Sequence, residues 1–432
     1  MPTILILTVG GSSAPIVSAI REHHPTFVAF VTSKDQSGPP PRLGSYTTVD
    51  GPGEPCDVRN AVRCPSCKAE ISPRQAKPSI VAQAGLAADA YQIIQVEPDD
   101  LNEAFATLRD LLADLHVRFP HDKLVTDYTG GTKTMSTALA LAALERGDCE
   151  LTLMLGDRPD LQRVADGTQM SSAVDTRSWR VQRSLDLAAE FFDHYDYSAA
   201  EQSLTGVIRD IVLTSALRTT IQRRVQLARG FDAWDRFDHA TAFSLLEPFA
   251  KALDSHWKTL LCLNGRGKTS GYETVFDLLR NAERRAARAR YDDAVARLYR
   301  ATELFAQIRL QQQYDLHTSD LDLSKLPEAL RSIYADRPSS DGKIRLGLQE
   351  SYALLGKLDD PLGSAFAQVS GPLNNALTRR NQSILAHGTR PMNQHDYHDL
   401  ASHLYTLINT ARPQIKCGHE APQFPPLKAI LP

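Results

Sequence analysis

Residues 124–139 read LVTDYTGGTKTMSTAL. Leu124 and Val125 supply a short apolar strand that ends at Asp127, residues 129–133 (TGGTK) supply a turn, and Met135, Ala138 and Leu139 recur at helical spacing. The order strand, glycine turn, helix is the unit from which α/β sheets are built. Gly130 and Gly131 let the backbone come close to a ligand, and the first amides of the following helix have no partners within it. Thr129, Thr132 and Lys133 add hydroxyls and a cation, a combination suited to phosphate or ribose. The turn has neither the glycine-to-lysine spacing of a P-loop nor G-x-G-x-x-G, so it does not point to ATP hydrolysis or dinucleotide redox chemistry. An ordinary tight connection between strand and helix, with a surface lysine, draws on the same residue types.

The same unit recurs upstream. Residues 3–9 (TILILTV) are a continuous apolar run, as in a parallel strand buried on both faces, followed by Gly10, Gly11, Ser12 and Ser13 and then by helical periodicity from Ala14, with Pro15 near its start. Residues 27–32 (FVAFVT) form another strand, ending in Ser33 and Lys34. Strands at 91–96 and 150–155 alternate with helices at 79–90, 100–115 and 133–146, which predicts a mostly parallel, doubly wound, Rossmann-like α/β domain over residues 1–175. In such sheets ligands bind beyond the carboxyl ends of the strands. Thr8 to Ser13, Thr32 to Lys34 and Asp127 to Lys133 are therefore expected to converge, with Gly156, Asp157 and Arg158 just past the last strand.

Residues 36–77 are rich in Pro, Gly and Ser and read as a long loop or insertion. It holds Cys56, Cys64 and Cys67, and the last two have the CxxC spacing of a structural zinc site. A fourth ligand would have to come from elsewhere, from His23, His24 or a partner chain. Plain reduced thiols or a redox pair are the other readings.

Beyond Trp179 the strand signals stop, and amphipathic helices follow at 184–194, 198–217, 220–233, 239–254, 272–288, 291–313, 342–357 and 372–387. An all-α C-terminal region is expected, with a helical connector over 180–270 and a helical-bundle domain over 271–432. Three helix openings, at Tyr195, Arg236 and Arg290, share an aromatic residue next to an acidic cap, as in helical hairpins, although their intervals are unequal.

Residues 380–388 (RNQSILAHG) hold the second chemical signal. On one helix over 372–387, closed by Gly388, Arg380 and His387 would project from the same face about 10 Å apart along the axis. Ile384 and Leu385 would pack beside that face, and the helix dipole would favour a cationic His387. Histidine moves protons near neutral pH and a guanidinium stabilises charge building on a phosphorane, a pairing suited to RNA cleavage without a metal. A single pair lacks a separate acid and base; a two-fold axis bringing two pairs together would supply both. A solvated Arg and His at a helix end use the same residues.

The whole sequence sets bounds on these readings. With 432 residues, 42% hydrophobic and 23% charged, it has the composition of an ordinary globular protein of two or three domains. Its formal charge of −3 argues against a broad polyanion-binding surface and leaves room for a local basic cleft. No long apolar run or basic leader is seen, so the expected setting is cytoplasmic, with no membrane.

Together, residues 8–12, 127–135 and 380–387 resemble the CRISPR-associated ribonucleases of type III systems that join a CARF sensor domain to a HEPN effector domain. The resemblance covers nearly the whole chain in order. It implies that a cyclic oligoadenylate, made by a type III CRISPR complex, binds across a homodimer of sensor domains. Tetra- or hexa-adenylate would be the ring, held by Thr8, Gly10, Gly11, Ser12, Thr129, Gly130, Gly131, Thr132 and Lys133. It implies further that paired HEPN domains then cut single-stranded RNA without a metal, through the ribose 2′-hydroxyl and leaving a 2′,3′-cyclic phosphate. Arg380 and His387 would be the catalytic pair, with Asn381 the polar residue beside the arginine. The 36–77 insertion and the length of the 180–270 region depart from a minimal member. Tyr299, Arg300 and Glu303 could support the catalytic helix by a salt bridge, or form a solvated pair. Two other activities stay open: a non-catalytic nucleotide-sensing regulator or adaptor, and a sensor that opens its own cyclic ligand.

Overall fold

A computed structural model describes residues 1–39, 42–51, 78–156, 168–335, 342–418 and 420–431. The part of the insertion that carries Cys56, Cys64 and Cys67, residues 52–77, lies outside the described residues, as do Asp157 and Arg158. The chain divides into two compact units, Met1–Gln182 and Arg183–Pro432.

In the first unit β1 (Thr3–Thr8), β2 (Phe27–Ser33), β3 (Tyr91–Val96), β4 (Lys123–Asp127), β5 (Glu150–Leu155) and β6 (Met170–Ala173) form one sheet in the order β3-β2-β1-β4-β5-β6. The first five run parallel, and β6 pairs antiparallel with β5. Its helices are α1 (Ala14–His23), α2 (Ile80–Ala84), α3 (Leu101–Arg118) and α4 (Lys133–Arg146). The expected helix at 79–90 is only α2, because Gly85 takes a left-handed conformation at its C-cap. The short edge strand β6, with the sequence MSSA, has no apolar alternation to announce it.

Alternate residues of β1 serve two cores. Ile4 and Ile6 pack with Leu108, Leu112, Met135 and Leu139 of α3 and α4, whereas Leu5 and Leu7 pack with Ile16, Val17 and Ile20 of α1 and with Ile80 of α2. A two-residue side-chain period sends each set to one face, which is why an unbroken apolar run makes a central strand with helices on both sides. The strand order reverses between β1 and β4, where Leu7 is level with Asp127. That reversal opens a crevice at the carboxyl ends of the two strands, and both glycine turns lie there.

The second unit is helical, and its first helix begins six residues before the division at Arg183. Its helices are α5 (Arg177–Asp193), α6 (Tyr197–Asp210), α7 (Ser215–Asp235), α8 (His239–Leu246), α9 (Ala250–Leu263), α10 (Glu273–Ala287), α11 (Tyr291–Tyr314), α12 (Glu328–Ala335), α13 (Leu348–Lys357), α14 (Pro361–Asn381), α15 (Gln394–Ala411) and α16 (Leu427–Ile430). Four helix corners close alike. Tyr195, Phe237, Ala289 and Asp359 have positive φ, and the next residue's amide bonds the carbonyl five positions back, as in Schellman motifs. Asp196, Asp238 and Asp360 then cap the following helix. The third corner falls two residues earlier than its aromatic, Tyr291, suggests, and the fourth has no aromatic to reveal it.

A buried polar seam runs between α7 and α10. Asp235 receives Arg284 and Arg285, and the Trp234 indole and His239 meet Asp277 at 3.2 and 3.1 Å. The tail beyond α15 closes this seam. Phe424 lies 3.6 Å below the Arg284 guanidinium, Gln423 accepts from Arg284 at 2.9 Å and from His256 at 2.8 Å, and the Leu427 amide donates to Asp193 at 2.8 Å.

Candidate functional site

In the first unit the glycine turns are built to touch. A Cβ at Gly130 would stand 2.2 Å from the Thr8 carbonyl oxygen, and one at Gly10 would stand 2.8 Å from the Gly131 nitrogen. Gly131 also has φ +81, in the left-handed region that L side chains rarely adopt. The Thr8 hydroxyl, fully buried, donates to the Gly130 carbonyl at 2.6 Å, and Ser136 donates to the same oxygen at 2.6 Å. Thr132 caps α4 by accepting from the Met135 amide and donates to the Pro98 carbonyl at 2.6 Å. Thr129 accepts from the Met154 amide of β5 at 2.7 Å. The structure thus brings Thr8, Gly10, Thr129, Gly130, Gly131 and Thr132 together, with the three threonine hydroxyls holding strands and helix in place. Gly11, Ser12 and Lys133 are the ones whose surfaces face outward.

Asp127, read from sequence only as the end of a strand, is the keystone of this turn. It is 3% exposed and accepts from the Thr129 amide at 2.9 Å and the Thr152 hydroxyl at 3.3 Å. Burial pushes its carboxyl above the usual 3.8, and the bonds from Thr129 and Thr152 and the charge of His23 offset this only in part. Lys34, expected at the crevice, meets Glu103 at 2.7 Å. Burial would raise the Glu103 carboxyl, but the bonds from Lys34 and from the Glu97 amide outweigh it and leave it lowered. Beyond the ends of β2 and β3 a polar cavity of about 490 Å³ is lined by Asp35, Gln36, Ser37, Arg42 and Glu97. Of the partners considered for the cysteine cluster, His23 bonds the Ser171 hydroxyl at 3.0 Å. Burial and the Asp148 carboxylate push the Cys149 thiol up to about 12.

In the second unit the expected helix over 372–387 is corrected. α14 runs from Pro361 to Asn381, and residues 382–387 form a compact turn. Pro372 resembles a first-turn proline but sits inside the helix. The turn is closed by backbone bonds from Ser383 to Arg380 at 2.9 Å, from His387 to Asn381 at 3.2 Å and from Arg390 to Gln382 at 2.9 Å. Gly388 is needed there, since a Cβ would stand 2.1 Å from the Gln382 carbonyl oxygen. Arg380, Asn381 and His387 are therefore brought together by a turn, and the expected helix dipole at His387 does not apply. Ile384 and Leu385, expected to pack, are 68% and 47% exposed.

The two adjacent arginines have different surroundings. Arg379 pairs with Asp399 and, at 3.3 Å, with Asp396, which also receives Arg390 at 3.2 Å and lies at the first turn of α15. Arg380 is half-buried, with its guanidinium 4.0 Å from the centre of the Tyr299 ring and one nitrogen donating to Asn381 Oδ1 at 3.3 Å. Its Nε is enclosed and has no hydrogen-bond partner. The Arg300–Glu303 pair, at 2.6 Å, is a partly solvated pair within α11, and Tyr299 rather than Glu303 reaches Arg380. Ion-pair anchoring of Arg379 and aromatic anchoring of Arg380 carry no sequence motif, so neither was readable beforehand.

Residues 264–411 match the family model described as the Csm6 HEPN domain. This part of the chain is similar to the Csm6 HEPN domain. The fold extends further: the structure of Enterococcus italicus Csm6 bound to cyclic hexa-2'-fluoro-hexa-dAMP superposes with a TM-score of 0.50 at 14% identity, covering 96% of this chain and 96% of that one. The resemblance read from the motifs, to proteins with a Rossmann-like CARF domain followed by a HEPN domain, is borne out. No curated protein matches the sequence. The HEPN match starts in the α9–α10 loop and includes Arg380, Asn381, His387, Tyr299 and the Asp396 cluster. Among the described residues no helix is long and apolar enough to cross a membrane, and no group of three His, Cys, Asp or Glu side chains is placed to hold a metal.

Proposed function

We propose that this protein is a single-stranded RNA endoribonuclease switched on by a cyclic oligoadenylate in type III CRISPR defence. The observation that carries the reading is the turn after α14, which folds His387 back onto Asn381 beside Arg380 inside a domain that matches the Csm6 HEPN model. His387 is exposed and moves protons; Arg380, whose guanidinium meets the Tyr299 ring and Asn381 rather than a carboxylate, stabilises the charge that gathers on the phosphorane. The ribose 2′-hydroxyl attacks the adjacent phosphorus, its proton goes to a base, and the 5′-oxygen leaves with a proton from an acid, giving a 2′,3′-cyclic phosphate without a metal. One Arg–His pair cannot fill both proton roles at once, so two copies of the chain meet with their turns facing. The exposed Ile384 and Leu385 flank the place where the second copy would sit.

The ring is held at the crevice between β1 and β4. Backbone amides of Gly10, Gly11, Ser12 and Gly131 approach its phosphates, and Lys133 at the start of α4 adds a cation; Thr8, Thr129 and Thr132 shape the surface. A hexa-adenylate ring is the first to try, because the Enterococcus italicus structure holds an analogue of that size.

The test is cleavage of a labelled single-stranded RNA in EDTA, with and without cyclic tri-, tetra- and hexa-adenylate, using His387→Ala as control. One ring should switch on cutting that the variant lacks. An unchanged rate in His387→Ala would remove the effector assignment. Ring binding without RNA loss would make the helical unit an interaction module, and disappearance of the ring itself would make the sensor a hydrolase.

A further inference from the structure

We propose that Tyr299 is the positioning residue for Arg380, holding the guanidinium by its ring so that its charge and its N–H edge stay free for a phosphate. This deepens the RNA-cleavage reading and rests on it. The environment of Arg380 differs from that of every arginine around it. Arg379 is tied to Asp396 and Asp399, Arg390 to Asp396, and Arg300 to Glu303. Each neighbouring carboxylate is thus occupied by a different arginine, and among the described residues Arg380 has no ion pair. What it has is the Tyr299 ring, 4.0 Å from the guanidinium carbon, and one long bond to Asn381.

The chemistry separates two ways of fixing an arginine. A carboxylate fixes the guanidinium through its N–H edge, the same edge a phosphate must use, and cancels the charge the transition state needs. An aromatic ring fixes it through its face, by attraction to the ring's negative π cloud, and leaves the edge untouched. Tyr299 is half-buried against the HEPN core, so the ring is itself held by packing. The Nε of Arg380 is enclosed, so the edge this arrangement leaves for a phosphate is that of the terminal nitrogens, one of which makes only the long bond to Asn381.

The full-length protein, activated by whichever ring switches it on, would be compared in single-turnover cleavage with three Tyr299 variants. Tyr299→Phe and Tyr299→Trp keep a ring and should cleave within about twofold of the parent, since the π face rather than the hydroxyl acts. Tyr299→Leu should lower kcat by about tenfold or more with KM little changed, because the charge needed in the transition state is no longer held in place. Arg380→Ala is the reference. If it cuts normally, the cleavage assignment itself fails. If it is inactive while Tyr299→Leu cuts like the parent, only the positioning role is overturned. Equal loss in the Trp and Leu variants, with a matching fall in thermal midpoint, would also overturn it by showing that Tyr299 acts through packing alone.

Discussion

The crevice in the first unit and the turn in the second are put together by opposite means. At the crevice the backbone does the shaping: glycines at 10 and 130 sit where a single added carbon would strike a neighbouring main chain, Gly131 takes a left-handed φ, and hydroxyls lock the result. At the turn after α14 the polar side chains do it. Two carboxylates hold Arg379, a ring holds Arg380, and Asp396 draws Arg390 toward the start of α15. A backbone-built site tolerates almost no change at its glycines and considerable change elsewhere, whereas a side-chain-built site can lose its chemistry while keeping its fold.

The largest effect should come from removing the chemistry of the turn. Arg380→Ala or His387→Ala is expected to cut single-turnover RNA cleavage by roughly 10²–10⁴-fold, while ring affinity by calorimetry stays at the parent value. A parallel fall in ring affinity would mean that the variants had damaged more than the turn.

Next comes the glycine contrast. Gly130→Ala places a carbon against the Thr8 carbonyl and should destabilise the first unit by about 1–3 kcal/mol and abolish ring binding. Gly11→Ala, with nothing within 4 Å of the added carbon, should leave the thermal midpoint unchanged. If both variants melt alike, the crevice is not held by the close approach described.

A smaller effect concerns Asp127. Its folded carboxyl titrates above 3.8, so the folded state keeps a proton that the unfolded chain has already released. The stability associated with this group is therefore present at low pH and lost as pH rises from about 4 through the raised value. Asp127→Asn should remove that loss, so the variant gains on the parent between pH 4 and 7 in denaturant titrations. A difference that shrinks over this range would reverse the assignment of burial as the dominant influence.

The smallest effect on stability belongs to the exposed pair. Ile384→Ser with Leu385→Ser should shift unfolding by no more than about 0.5 kcal/mol, yet lower the RNA cleavage rate if a second copy covers them. A marked drop in thermal midpoint would place them in the core of their own chain.

The difference in construction also explains what could be read from the sequence. Strand β1, its glycines and residues 124–139 were legible because backbone demands leave a direct trace: apolar runs for strands buried on both faces, glycine where a Cβ cannot fit. The doubly wound order with a helical region behind it followed from that. Strand β6 was missed because its four residues have no alternation, and the helix at 372–387 was misplaced because Pro372 imitates a helix start. Arg380 and His387 were found as a spacing, but the turn that joins them was not, and the partners of Arg380 are distant in sequence. Thr8, Thr129 and Thr132, expected to hold a ligand at the crevice, lie at the glycine turns with their hydroxyls bonded within the protein.

The tail that seats Phe424 on Arg284 bears on how the chain is made. The Asp193 carboxylate waits for the amide of Leu427, 234 residues later, and His256 waits for Gln423, 167 residues later. At 5–20 residues per second, helices α5 to α10 would stand on the ribosome for roughly 10–50 s with an uncovered aromatic cluster and a buried-to-be arginine. Synthesis speed near the 3′ end of the message, and the presence of a chaperone during that interval, should therefore change the yield of folded chain.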